Sequence, residues 1–187
     1  MKAENGILKL ADENFKVIVF RMVTLFGYSK RMRFDVLINN LASNYIQNKK
    51  IILKSNGKLI RPQIHVKDVA QFYQQALDSD TIESQIINIG REDYNVKILN
   101  LAKKITSILN CPLIIGKHDL DQRSYKVSFK KQNRIFKKIN FKKNLTDAFD
   151  EIISHYNQKH NFNKNNYYNL KTLEELKQKK LINSLLR

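Results

Sequence analysis

The chain has 187 residues, enough for one modest domain or a large part of one, and its 42% hydrophobic and 27% charged residues exclude a disordered composition. A chain of this length can bury most of the surface that its unfolded form exposes, so a sizeable core is expected. Lys plus Arg number 34 against 17 acidic residues, and a formal charge of +17 attracts polyanions such as nucleic acid, phosphate-bearing ligands or an anionic surface.

Residues 3–13 place Ile7, Leu8 and Ala11 at helical spacing. The run Phe15–Phe20, with Val17, Ile18 and Val19 unbroken by polar residues, suits a strand covered on both faces, as in a parallel sheet. A loop follows Thr24-Leu-Phe-Gly27 and contains Arg31 and Arg33, for which a nucleotide and plain water are equally good partners. Residues 34–48 read as a helix through Phe34, Leu37, Ile38, Leu41 and Ile46, with Asn39 and Asn40 assigned to its surface. Lys50–Leu53 reads as a strand, Asn56-Gly57 as a turn, and residues 66–78 as an amphipathic helix starting near Asp68. Ile86–Ile89 is a strand closed by Gly90, and Val96–Leu109 a helix. Leu113–Ile115 and Tyr125–Phe129 are short strand candidates, and Leu145–Tyr156 is a further helix.

The alternation of strands and helices predicts an α/β fold. Residues 157–168 are Asn-rich without periodicity and read as a linker, and 170–186 as a basic, partly amphipathic helix, which gives two regions, 1–156 and 157–187. The lysines are scattered, so most of the excess charge reads as solvated surface. The single cysteine, Cys111, cannot form an internal disulfide; its apolar neighbours suggest a packed thiol in a reducing compartment. No apolar stretch would span a bilayer and the first residues hold no apolar signal core, so the expectation is a cytoplasmic protein away from membranes.

Four short motifs follow one another in order. The first is Arg21-Met-Val-Thr24-Leu-Phe-Gly27. The second is Asn56-Gly57-Lys-Leu-Ile-Arg61-Pro-Gln63-Ile-His65-Val-Lys-Asp68-Val-Ala70. The third is Ile87-Asn88-Ile89-Gly90 and the fourth Asp121-Gln-Arg123-Ser-Tyr125. Together they resemble the extended short-chain dehydrogenase/reductases, in particular the NAD-dependent epimerase/dehydratase family that acts on nucleotide sugars. The resemblance covers about residues 1–156. It implies the C-terminal part of a Rossmann-type parallel sheet plus the smaller α/β substrate-binding domain.

The resemblance also implies roles. Arginine offers a planar fork of donors matched to phosphate oxygens, so Arg61 and Arg123 would hold the pyrophosphate of a nucleotide-diphosphate sugar from two sides. Thr24 falls where the family places a side chain near sugar or nicotinamide. Gln63 lies two residues past Arg61 on the same side of an extended segment and would face the same ligand; Tyr125, in the fourth motif, is a further substrate-binding candidate. His65 and Asp68 read as structural, the histidine bonding backbone at a corner and the aspartate capping or charge-matching the next helix.

The family's Gly-rich NAD turn and its catalytic Tyr-x-x-x-Lys are not found in these residues. The five glycines, at 6, 27, 57, 90 and 116, are too far apart for the turn. Ala3-Glu4 match the tail that follows the family's lysine, which would place that lysine just ahead of Met1. Tyr45…Lys49 and Tyr167…Lys171 have the catalytic spacing without its context. The expectation is therefore a substrate-binding half, inactive alone, with NAD bound only by the complete enzyme. Its partners would be a nucleotide-diphosphate sugar, a separately encoded N-terminal half and a second copy in a homodimer. No catalytic, cofactor-binding or metal residue is assigned to this chain. Two other readings compete: a basic nucleic-acid-binding module using Lys-rich residues 126–143 with Phe129, Phe136 and Phe141 as a stacking platform, and a non-catalytic interaction domain.

Overall fold

Val17-Ile-Val19 is the most β-prone stretch of the chain, and in the computed structural model it enters β1 (Ile18–Met22). The structure describes residues 2–117 and 123–182. Before β1 lies a short helix, α1 (Lys2–Leu8). β1 pairs in parallel with β5 (Gln85–Ile89), in the register Ile18↔Gln85 to Met22↔Ile89. A parallel pair needs a crossover, and α3 (Val66–Leu77) lies within that connection. β2 (Thr24–Phe26) pairs with β4 (Gln63–His65), which runs straight into α3. His65 caps α3, its Nδ1 accepting from the Lys67 N–H at 3.1 Å, with Asp68 in the first turn.

These elements belong to the first of two compact units, built from Met1–Leu25, Gly57–Leu101 and Asp119–Asn144. Its core gathers Val23, Ile64, Val69, Phe72, Ile82, Ile87, Ile89, Phe129 and Phe136. At about 25 cal/mol per Å² of apolar surface removed from water, these side chains are the main favourable term for this unit. Residues 125–129 do not form the expected strand. Phe129 instead precedes a short helix, α5 (Lys130–Ile135), which lies against β5. The ring of Phe129 rests on Gly90, where a methyl group would collide with it.

The second unit comprises Phe26–Asn56, Ala102–His118 and Leu145–Arg187. α2 (Leu37–Asn48) and α6 (Leu145–His155) pack together, and α2 also covers β3 (Ile51–Leu53). β3 pairs in parallel with β6 (Leu113–Ile115). α4 (Ile98–Leu109) begins in the first unit and ends in the second.

The segment 157–168, expected as a linker, is packed. Phe162 and Tyr167 are buried, and both rings meet Phe34 edge-on at centroid distances of 5.0 and 5.1 Å. Tyr156 meets the same ring at 5.3 Å. Such pairs add about 0.5–1.5 kcal/mol each beyond area burial. Burial pushes the Tyr156 phenol up to about 12 and pushes His160 down, and His160 Nε2 is hydrogen-bonded to the Tyr167 hydroxyl at 2.9 Å. α7 (Asn169–Gln178) follows; it is shorter than expected and buries none of its residues. The end of the expected helix, 183–186, lies outside the described residues. Among the described residues no helix is long and apolar enough to cross a membrane.

Candidate functional site

Four of the five expected site residues, Arg61, Gln63, Arg123 and Tyr125, lie within the first unit's two tied segments 60–65 and 123–125, and Thr24 joins the same sheet edge. The tie is made by backbone and one hydroxyl: the Ile60 N–H donates to Ser124 Oγ at 3.0 Å, and the Tyr125 N–H to the Ile60 carbonyl at 3.4 Å. The Arg61 N–H donates to the Val96 carbonyl at 3.4 Å. This brings the Arg61 guanidinium over the Tyr125 ring, 5.5 Å from its centroid. A guanidinium over a phenol ring is attracted by its π face, and its donors lie in one plane, the geometry that suits two phosphate oxygens. Tyr125 is 45% exposed. Arg123 is exposed two residues earlier. Asp121, which opens the fourth motif, lies outside the described residues.

Thr24 is half-buried in β2, and its N–H donates to the Pro62 carbonyl at 3.2 Å, between Arg61 and Gln63. Gln63 is 1% exposed. Its Nε2 donates to the Arg61 carbonyl at 3.1 Å, while its Oε1 has no hydrogen-bond partner. A buried acceptor left unsatisfied costs about 1–3 kcal/mol, a cost that this fold carries at Gln63.

His65 and Asp68 take the structural places expected of them. Asp68 is fully buried, and Arg91 Nη1 stands 3.6 Å from its Oδ2. Burial pushes the Asp68 carboxyl above the usual carboxylate range. Arg91 also pairs with Asp93 at 2.7 Å and donates to the Lys143 carbonyl at 2.5 Å. It lies over the Tyr94 and Phe141 rings at 4.8 and 5.4 Å. That anchors the turn after β5. Asn95 anchors it further, donating to the Val127 carbonyl at 2.8 Å and accepting the Val127 N–H at 3.3 Å.

Within the second unit, Arg31 donates to Asn169 Oδ1 at 2.9 Å and Arg33 forks onto Asp35, each contact at 3.0 Å. Both arginines are therefore engaged within that unit. Asn39, expected on a helix surface, is 4% exposed. Its Oδ1 accepts the Gly27 N–H and its Nδ2 donates to the Arg33 carbonyl, both at 3.1 Å, so it pins the loop 27–33 from both ends. Gly27, at φ 107°, closes the first motif in a conformation that side chains disfavour.

The two chance Tyr-x-x-x-Lys spacings have other duties. Lys49 Nζ lies over the Tyr45 ring at 5.1 Å, while the Tyr167 hydroxyl bonds His160 and Lys171 lies over Tyr168. The phenylalanines of the nucleic-acid reading are not a stacking platform, because Phe129 and Phe136 are 2% and 5% exposed and Phe141 is half-buried. Cys111 lines an open groove of about 550 Å³ with Lys103, Thr106, Ser107, Asn110 and Pro112, none of which belongs to the four motifs. Burial raises its thiol above the usual range, which disfavours the reactive thiolate.

The Arg21 guanidinium holds Glu4 with two bonds, at 2.8 and 2.7 Å, joining the Ala3-Glu4 tail to the first motif. Residues 2–90 match the NAD dependent epimerase/dehydratase family.

Solved structures of this class share the fold. A UDP-N-acetylglucosamine 4-epimerase from Methanobrevibacter ruminantium M1, in complex with UDP-N-acetylmuramic acid, superposes with a TM-score of 0.67 at 16% identity, over 83% of this chain and 52% of that one. For a UDP-glucuronic acid 4-epimerase from Bacillus cereus, in complex with NAD, the TM-score is 0.63 at 18% identity, over 83% and 50%. RMD from Pseudomonas aeruginosa, complexed with NADPH, gives 0.64 at 17%, over 81% and 52%. The chain thus spans about half the length of the solved structures it matches. The α/β architecture with parallel strand pairs is the one those Rossmann-like enzymes share.

Proposed function

We propose that these residues form the nucleotide-sugar-binding corner of an NAD-dependent nucleotide-sugar epimerase or dehydratase. The observation that carries this reading is the Arg61 guanidinium laid over Tyr125 by the bonds between Ile60 and Ser124–Tyr125. In this reading Arg61 and Arg123 grip the pyrophosphate, Tyr125 orients Arg61, Gln63 Oε1 accepts an O–H or N–H of the ligand, and the Thr24 hydroxyl serves the sugar. Charge-assisted, two-pronged bonds to a phosphate are the strong kind, and they give direction as well as energy.

NAD would supply the oxidation and return of a hydride in the complete enzyme. The residues here do not fit its pyrophosphate: Gly6 lies in α1, Gly90 is covered by the Phe129 ring, and no two glycines share one turn. The dinucleotide site and the acid/base pair would thus come from a further segment or a separate chain. Such a part would cover the second edge of β1, which meets no strand among the described residues and is flanked by the exposed Phe15, Met22 and Tyr73.

Calorimetric titration of the chain with UDP-glucuronic acid tests the clamp. Binding should weaken at least tenfold in Arg61→Ala and by less in Arg61→Lys, which keeps the charge but loses the planar fork. An affinity that ignores Arg61, or none in the unaltered chain, would sink the reading.

A further inference from the structure

From Arg123 to Lys143 the chain carries nine cations, Arg123, Lys126, Lys130, Lys131, Arg134, Lys137, Lys138, Lys142 and Lys143, and no acid intervenes between Asp121 and Asp147. The strip starts at the corner just described, since Ser124 and Tyr125 bond to Ile60. It is fixed to the end of β5, where Gln132 Oε1 accepts the Gly90 N–H at 2.8 Å. Lys131 Nζ donates to the Ile86 carbonyl at 2.7 Å. Phe129 and Phe136 point into the core, which leaves Lys126, Lys130, Arg134, Lys137, Lys138 and Lys142 exposed, and their side chains make no ion pair among the described residues. The acids Asp78, Asp80 and Glu83 come just before β5, at its opposite end, while of the two acids just after it Asp93 is paired with Arg91 and Glu92 accepts from Asn95. Ligands of parallel sheets bind outside the carboxyl ends of the strands, the end to which Gly90 belongs.

We infer that this strip is an electrostatic collector that speeds the arrival of an anionic nucleoside-diphosphate ligand at Arg61 and Tyr125 without itself holding the ligand once bound. The inference rests on the proposed function of that corner. Fixed like charges around a site raise association rates by factors of about 10–1,000, and salt abolishes the gain because charges more than about 8 Å apart are screened at physiological ionic strength. A collector therefore acts on association, whereas a clamp such as Arg61 acts on dissociation. A polynucleotide is the competing occupant of any lysine strip. The buried phenylalanines remove the stacking surface that a single strand would use.

The test compares stopped-flow association of fluorescently labelled UDP with the unaltered chain, with a variant carrying Lys126→Gln, Lys130→Gln, Arg134→Gln and Lys137→Gln, and with a control carrying Lys9→Gln, Lys50→Gln, Lys159→Gln and Lys180→Gln. Circular dichroism verifies that all three are folded. The strip variant should associate about tenfold more slowly at about 20 mM salt, with an unchanged dissociation rate and no deficit at about 0.5 M. The control should lose much less. Equal losses in both variants, or a change confined to dissociation, would overturn the collector. So would an unaltered UDP rate accompanied by loss of duplex DNA binding, which would assign the strip to a polynucleotide. Failure of the unaltered chain to bind UDP at any salt would remove the corner's function and the collector with it.

Discussion

Gln63 holds one buried oxygen that nothing among the described residues satisfies. Gln63→Leu removes that acceptor while keeping much of the volume. Thermal stability should change little, because losing the bond to the Arg61 carbonyl offsets removal of the orphan oxygen, while affinity for UDP-glucuronic acid falls; a large parallel loss of both would make the glutamine merely structural. Asn39 is the opposite case, with both ends of its amide used by Gly27 and Arg33. Asn39→Ala should cost about 1–3 kcal/mol in denaturant unfolding, because the buried Gly27 N–H and the part-buried Arg33 carbonyl lose their partner. The sequence explains why Gln63 could be named as a candidate, while the buried role of Asn39 could not be read from it. Gln63 sits in a motif next to Arg61, and extended alternation puts both on one side. Asn39 sits in a helix among other asparagines, and its partners lie 12 and 6 residues back on a loop whose path no local pattern reveals. Gly90 shows a third case: the motif announces a glycine, but only the fold gives the reason, the Phe129 ring lying on it.

Between elements, one ion pair joins α1 to β1. Arg21 holds the Glu4 carboxyl down at about 2, far below its ordinary 4.5. A depressed carboxylate adds stability above its unfolded value and loses it as pH falls toward its folded value. The melting temperature of the unaltered chain should therefore fall between about pH 4.5 and 2 more steeply than that of Glu4→Gln, as followed by circular dichroism. Matching slopes would show that α1 is not held by this pair. Strands such as β1 were legible because an uninterrupted apolar run such as Val17–Phe20 has few other homes. Helix α5 was not: Lys130-Lys-Gln-Asn-Arg-Ile135 offers one apolar residue and no period, and its position is set by Phe129 and Phe136 on either side. The segment 157–168 was misjudged for a related reason. Its asparagines outnumber its aromatics, yet Phe162 and Tyr167 decide where it lies.

At the scale of the whole molecule, each unit is assembled from three separate stretches, and the chain passes from one unit to the other at Leu25, Asn56, Leu101, His118 and Asn144. A cut after Leu101 would leave part of both units on each side. Fragments 1–101 and 102–187, made separately, should each lack a cooperative melt, and mixing them should restore it; a cooperative melt of either alone would refute this dependence. The same interleaving bears on how the polypeptide is made. A nascent chain emerges from the ribosome in order, but the first unit waits for residues 119–144 and the second for 145–187. Apolar runs such as Val17–Phe20 must therefore wait through most of translation before Phe129 and Phe136 arrive to cover them. Nascent-chain chaperones should have their longest engagement with the early β1 stretch, and that wait is set by the order of the segments rather than by any single interaction.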